Sequence, residues 1–415
     1  MSFPGAANTI HTDVNESLAK QVKRISLEIS EKWTEFNEIG LLEGKSGMVL
    51  LTAYLSKLFP GQGYEATTLY YLNDLKESLS RDELGYDLSN GVAGIGFVFQ
   101  HLKNEEVLDS WIDLDLSELD EFIELGADQD FKTGNWDPLL GLTGLGIYFL
   151  ERNKETGEKK YLEKIVDYLA SMRVANGGHE LWITPGYRKY SKDNYNFGMA
   201  HGMPGVLSFL AQVHARGIKQ QEIEGMVQSC LSFLLEHEYP DDPVYSFPPA
   251  ISVAQTGKSG KPNSRLAWCY GDLCMTNTLI HCGKALHRDD WYDKGIRVAL
   301  KTTERGFEDS GCIDAPFCHG TIGLVHQYHR LHQLTQNKDF LNAQNKWIDI
   351  TQKHFYSPGE GAAGYYSRSY NEEIEAFENQ PQYGLLEGSA GIGLVYLSIL
   401  YGINPDWDII FLTNV

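Results

Sequence analysis

Leu41-Leu42-Glu43-Gly44-Lys45-Ser46-Gly47 and Leu385-Leu386-Glu387-Gly388-Ser389-Ala390-Gly391 are the same phrase written at the two ends of one chain. Five more copies lie between them: Leu88-Ser89-Asn90-Gly91-Val92-Ala93-Gly94, Leu139-Leu140-Gly141-Leu142-Thr143-Gly144, Met199-Ala200-His201-Gly202-Met203-Pro204-Gly205, Trp268-Cys269-Tyr270-Gly271-Asp272 and Phe317-Cys318-His319-Gly320-Thr321-Ile322-Gly323. The first glycines stand at 44, 91, 141, 202, 271, 320 and 388, at intervals of 47, 50, 61, 69, 49 and 68 residues. A period near fifty with insertions marks a repeat architecture. The fifth copy lacks the second glycine.

Each glycine pair opens an apolar run of helical length, such as Gly391-Ile392-Gly393-Leu394-Val395-Tyr396-Leu397-Ser398-Ile399-Leu400. An amphipathic helical pattern, well developed over 161–173, fills the space before the next copy. Two helices per repeat make a helical hairpin, and seven hairpins make an array. An open solenoid needs polar end caps. The first and last copies match each other and neither reads as a cap. The pattern therefore predicts an all-α fold, an α/α toroid (a double-layered α/α barrel) of seven hairpins, with residues 1–415 as one domain. Loop insertions are expected near 176–196, 239–264 and 357–382, decorating one rim. The second is Pro-rich and carries Thr256-Gly257-Lys258-Ser259-Gly260, which falls short of a phosphate loop.

Lys and Arg number 35 against 56 Asp and Glu, a formal charge of −21, and no basic block stands out, which argues against nucleic acid as a partner. No apolar run is long enough to span a bilayer, and residues 1–8 lack the basic and apolar regions of a signal peptide. The protein is expected to be cytoplasmic. Six cysteines in so long a chain are no disulfide framework.

Equivalent positions of a toroid sit at one height. Two residues before the glycine stand Cys269 in copy five and Cys318 in copy six; His319 follows Cys318, and His201 holds the corresponding place in copy four. Cys269, Cys318 and His319 make a Cys₂His set, which leaves a tetrahedral zinc ion (Zn2+) one open position. Taken singly, each reads as core or cap ahead of ligand; shared repeat positions favour the metal. Cys274 and Cys312 are the candidates to close that position, and Cys274, Cys230 and Cys282 read as core. Two thiolates offset the charge of the ion, which suits holding a third sulfur as thiolate better than making hydroxide. A thiol substrate follows. His201 is a candidate acid/base. Asp137, in Asn135-Trp136-Asp137-Pro138, either orients it or shares its proton, or else caps a helix with Pro at its first position. Arg265 either holds an anionic oxygen or makes a surface ion pair. His326, His329 and His332 read as one packing or solvated helix face.

At Ala200-His201-Gly202, Trp268-Cys269-Tyr270-Gly271 and Cys318-His319-Gly320, and in the recurring glycine turns, the chain resembles the lanthionine synthetase C family, the lantibiotic cyclases. The resemblance spans essentially the whole chain. It implies the toroid, zinc on Cys269, Cys318 and His319, and addition of a peptide cysteine to dehydroalanine or dehydrobutyrine to form (methyl)lanthionine thioethers. It also implies proton transfer by His201 with Asp137, and Arg265 and Tyr270 lining the site. The implied partner is a dehydrated precursor peptide with its leader, which 239–264 is expected to read, with a dehydratase and a transporter as further partners. Eukaryotic-type relatives are similar to glutathione-binding proteins and lack the aspartate, so addition of glutathione to dehydrated residues is the competing expectation. A non-catalytic thiol- or peptide-binding scaffold is the other.

Overall fold

A computed structural model describes residues 12–80, 84–107, 115–184, 193–254, 264–371 and 375–415. The run 256–260 and the N-terminal residues 1–8 lie outside the described residues. Fourteen α-helices run among the described ones: α1 (Thr12–Lys32), α2 (Lys45–Leu58), α3 (Tyr64–Leu79), α4 (Val92–Asn104), α5 (Leu116–Thr133), α6 (Leu142–Thr156), α7 (Lys160–Ser171), α8 (Met203–Ala215), α9 (Gln220–Glu236), α10 (Asp272–Ala285), α11 (Asp289–Thr302), α12 (Thr321–Thr335), α13 (Lys338–His354) and α14 (Ser389–Tyr401). Among the described residues the fold is all-α apart from six short strands. None of these helices is long and apolar enough to cross a membrane.

Each repeat glycine immediately precedes an even-numbered helix, and those seven helices are buried almost all round. A helix apolar on every side belongs in a core, which is why these segments show no polar stripe. The odd-numbered helices bury one face only, as in α7, where Leu162, Ile165, Val166 and Leu169 face inward.

Two compact units divide the chain: Met1–Asp120 with Ile313–Asp408, and Glu121–Cys312 with Ile409–Val415. In the first, core helices pack in the order α12, α14, α2, α4, so the last repeat lies against the first. Backbone bonds between turns follow the same order. The Phe317 and Cys318 amides donate to Leu386 O (3.0 and 3.2 Å), those of Leu385 and Leu386 donate to Leu42 O (2.7 and 2.9 Å), and that of Leu42 donates to Ser89 O (3.0 Å). That is the closure expected of a toroid, and it explains why neither terminal copy is a cap. In the second unit α8 packs between α6 and α10, and the Met199 amide reaches Cys269 O at 2.9 Å.

The turns cap their own helices without a side chain. The Thr321 and Ile322 amides at the start of α12 donate to Asp314 O and Ala315 O (3.1 and 2.9 Å), and Ser389 at the start of α14 to Gln382 O (3.0 Å). Donors that a helix N-terminus leaves orphaned are thus satisfied by the loop wrapped beneath it. That wrapping leaves no room for a side chain: a Cβ on Gly323 would lie 2.0 Å from Phe317 O.

Turn five departs from this, for the reason its sequence announces. Cys274 occupies the place of the second glycine, so the chain cannot fold back in the same way. Gly271 instead takes φ +116°, whereas the other six turn glycines lie between −96° and −144°. A Cβ there would stand 1.9 Å from Arg265 O. Gly271→Ala is therefore expected to cost about 2–4 kcal/mol of stability, from backbone strain plus the clash; denaturant unfolding measures it, and an unchanged midpoint would contradict this account of the turn.

The insertions carry the strands. Strand β1 (Val174–Asn176) pairs antiparallel with β2 (His179–Leu181); β3 (Asn194–Asn196) pairs with β4 (Ala250–Ser252), tying the first insertion to the second; and β5 (Ser367–Asn371) with β6 (Ala376–Gln380) forms a hairpin where the sequence suggested only loop.

Candidate metal centre and proton-transfer pair

In the first unit, Cys318 and His319 end turn six directly before α12. Cys318 is half-buried, whereas the other five cysteines are buried. His319 is held between two carboxylates, its Nε2 3.5 Å from Asp314 Oδ2 and its Nδ1 3.5 Å from Glu387 Oε1. Strand β5 braces both acids: the Arg368 amide donates to Asp314 Oδ2 at 2.9 Å and the Ser367 hydroxyl to Glu387 Oε2 at 3.4 Å. An imidazole that ligates a metal commonly meets a carboxylate at its other nitrogen, which fixes the ring and raises its basicity. A thiol and an imidazole side by side, with that support already built, are a donor set that fits a zinc ion.

Glu43 and Glu387 hold equivalent places in turns one and seven, which the Leu386–Leu42 bond draws together. Burial, and next the charge of Glu387, push the Glu43 carboxyl up to about 8. The folded state therefore keeps a proton that the unfolded chain releases above the ordinary 4.5. Stability contributed by that proton is lost as pH rises from there to about 8. For chelator-treated protein, Glu43→Gln is expected to flatten the fall of the melting temperature between about pH 5 and 8, a slope worth at most about 1.4 kcal/mol per unit. Parallel wild-type and variant profiles would contradict the assignment.

The second unit positions the other site residues. His201 Nδ1 lies 2.8 Å from Asp137 Oδ2. Asp137 Oδ1 accepts from the Leu139 and Leu140 amides at 2.8 and 2.9 Å. One oxygen of Asp137 thus meets the histidine while the other holds the turn. The histidine side chain is 40% exposed and its aspartate 16%, so the imidazole is the more accessible member of the pair. Tyr270 receives a hydrogen bond on its Oη from Asn196 Nδ2 (3.1 Å), and burial raises its pKa, so the phenol keeps its proton. Gly198 makes this possible, because a Cβ there would stand 2.6 Å from the Tyr270 ring. Arg265 is exposed on the same turn, and among the described residues no hydrogen bond or ion pair ties its guanidinium to His201 or Tyr270.

Four other cysteines and the three histidines of α12 make packing contacts among the described residues. Cys274 donates to Phe197 O at 3.0 Å and Cys312 to Leu266 O at 3.5 Å, and burial raises the Cys230, Cys274 and Cys282 thiols far above the usual range. On α12, His326 meets Asp408 (3.0 Å), His329 meets Gln344 (3.0 Å) with its pKa lowered by burial to about 4, and His332 meets Asn337 O (2.9 Å).

The profile described as lanthionine synthetase C-like protein matches residues 35–412. The chain belongs to that family. It is 24% identical over 417 residues to the nisin biosynthesis protein NisC of Lactococcus lactis subsp. lactis, covering 93% of each chain. Among solved structures it resembles a nisin cyclase, with a TM-score of 0.76 and 22% identity over 95% of this chain and 98% of that one. That likeness fixes the fold as the α/α toroid expected from the repeats.

Sequence reasoning within the family frame missed Asn196, Gly198, Asp314 and Ser367. None lies in a repeated phrase. Glu387 stands one residue before its glycine as His319 does, but a shared repeat position does not by itself announce a contact.

Proposed function

We propose that the protein is a zinc-dependent lanthionine synthetase that closes thioether rings in a dehydrated precursor peptide. The observation that carries this reading is the 2.8 Å His201–Asp137 pair, borne by a family member with Cys269 and Cys318 at one repeat position and His319 next to the second. We assign those three residues to the metal. A zinc ion held there supplies a site at which a peptide sulfur stays thiolate at neutral pH. The reaction forms one S–C bond and breaks the C=C π bond of dehydroalanine or dehydrobutyrine; the proton lost from the thiol is balanced by one delivered to the α-carbon.

The chain's own groups divide the work. Asp137 accepts from His201 Nδ1–H, which leaves Nε2 to hold and give the proton. Tyr270, kept protonated by burial and approached by Asn196 on its oxygen, directs its O–H toward charge developing on the substrate carbonyl. Arg265, exposed on the same turn, is assigned to the same oxygen at longer reach. We keep residues 1–415 as one domain, a reading supported by the single family profile that spans residues 35–412, and we place the protein in the cytoplasm, with a dehydratase and a transporter as upstream and downstream partners.

The test is ring closure in a dehydrated peptide containing cysteine, followed by loss of alkylatable thiol because cyclisation leaves the mass unchanged. Thiol loss with zinc-loaded protein above the uncatalysed rate is expected. Equal rates with and without protein would defeat the proposal.

A further inference from the structure

A cavity of about 270 Å³ opens beside the β5–β6 hairpin, lined among others by Asp314, His354, Tyr366, Arg368 and Asn379. It is smaller than the ~300–1,000 Å³ typical of drug-sized ligands, so it suits a short segment of chain and not a whole ring. Two buried polar atoms on lining residues have no hydrogen-bond partner: Asp314 Oδ1, on a side chain 1% exposed, and Arg368 Nε. One is an acceptor and the other a donor. Buried polar groups are normally paired, and leaving them unpaired is costly.

A ligand that answers both must offer a donor and an acceptor together. A peptide group does so, with its N–H to Asp314 Oδ1 and its C=O to Arg368 Nε. Further observations suit a peptide. Arg368 lies over the Phe377 ring (5.5 Å), which aims its fork, and Phe377 with Tyr370 forms an edge-to-face pair on the hairpin, 49% and 54% exposed. Exposed aromatics of this kind anchor peptide side chains at low entropic cost. The second oxygen of Asp314 stands 3.5 Å from His319, so the cavity adjoins the assigned metal ligand.

We propose that this cavity is a main-chain subsite for the peptide substrate, seating one peptide group of it between Asp314 and Arg368. The inference rests on the peptide-cyclase reading above, and its test separates the two. Zinc-loaded full-length protein is titrated with a fluorescent hexapeptide in which alanines replace dehydroalanine and cysteine. The reactive hexapeptide is assayed for thiol loss in parallel.

Arg368→Leu is expected to weaken binding of the unreactive peptide about tenfold, to raise KM by a similar factor with kcat unchanged, and to leave the zinc content at the wild-type level. Methylating the peptide amides one at a time is expected to weaken wild-type binding sharply at one position. Binding within twofold of wild type in Arg368→Leu, or loss of zinc together with binding, would overturn the subsite. Arg368-dependent binding without ring closure by the wild type would uphold the subsite and defeat the cyclase reading.

Discussion

Cys318→Ala is expected to leave the protein without stoichiometric zinc and to reduce ring closure to the uncatalysed rate. Of the six cysteines it is the one that is not fully buried, and it opens onto the turn where His319 is already clamped by Asp314 and Glu387. Removing it leaves one thiolate and one imidazole, too few to retain the ion against a mild chelator. The fold should survive, because Cys318 contributes only its amide to the link with Leu386. Its melting temperature should match that of the chelated wild type, since an ion bound only by the folded state stabilises it by mass action, about 4 kcal/mol at a thousandfold excess over Kd. Elemental analysis and the thiol assay together check this. Full zinc occupancy with full activity would exclude Cys318 as a ligand.

His201→Asn carries the second large effect: about 10²–10⁴-fold slower closure with zinc retained. Asp137 separates orientation from capping. Asp137→Asn keeps an Oδ1 for the Leu139 and Leu140 amides but presents an N–H to His201, so activity should fall with little change in melting. Asp137→Ala should lose activity and, with the cap gone, about 1 kcal/mol of stability. Equal rates in His201→Asn and wild type would move proton delivery to another group and favour a binding scaffold. Replacing the peptide thiol by glutathione in the same assay tests the competing reaction.

How much of this could be read from the letters depends on what each residue answers to. The turn glycines were legible because a Cβ would strike backbone, so the constraint recurs with the repeat; Gly323 against Phe317 O is an instance. Closure was legible because the two terminal copies bond to each other and neither needs a polar end. The missing glycine of turn five was visible, but its consequence was not, since the +116° φ of Gly271 depends on where Arg265 O lies.

The carboxylates around His319 show the other limit. Glu387 is 68 residues away in sequence and Asp314 is five before it, and their convergence depends on turn seven lying beside turn six. The β5–β6 hairpin that braces them offers no turn dipeptide and no clear alternation, so composition alone reads as loop. The β3–β4 pair escapes for a similar reason: its strands are three residues each and more than fifty apart.

The most direct measurement is X-ray absorption at the zinc edge of the loaded protein, before and after addition of a peptide thiol. Two sulfurs at about 2.3 Å with one imidazole are expected at first, and three sulfurs once the thiol is present. A first shell already filled by four protein ligands, or one that no thiol alters, would contradict a centre that activates the substrate's sulfur.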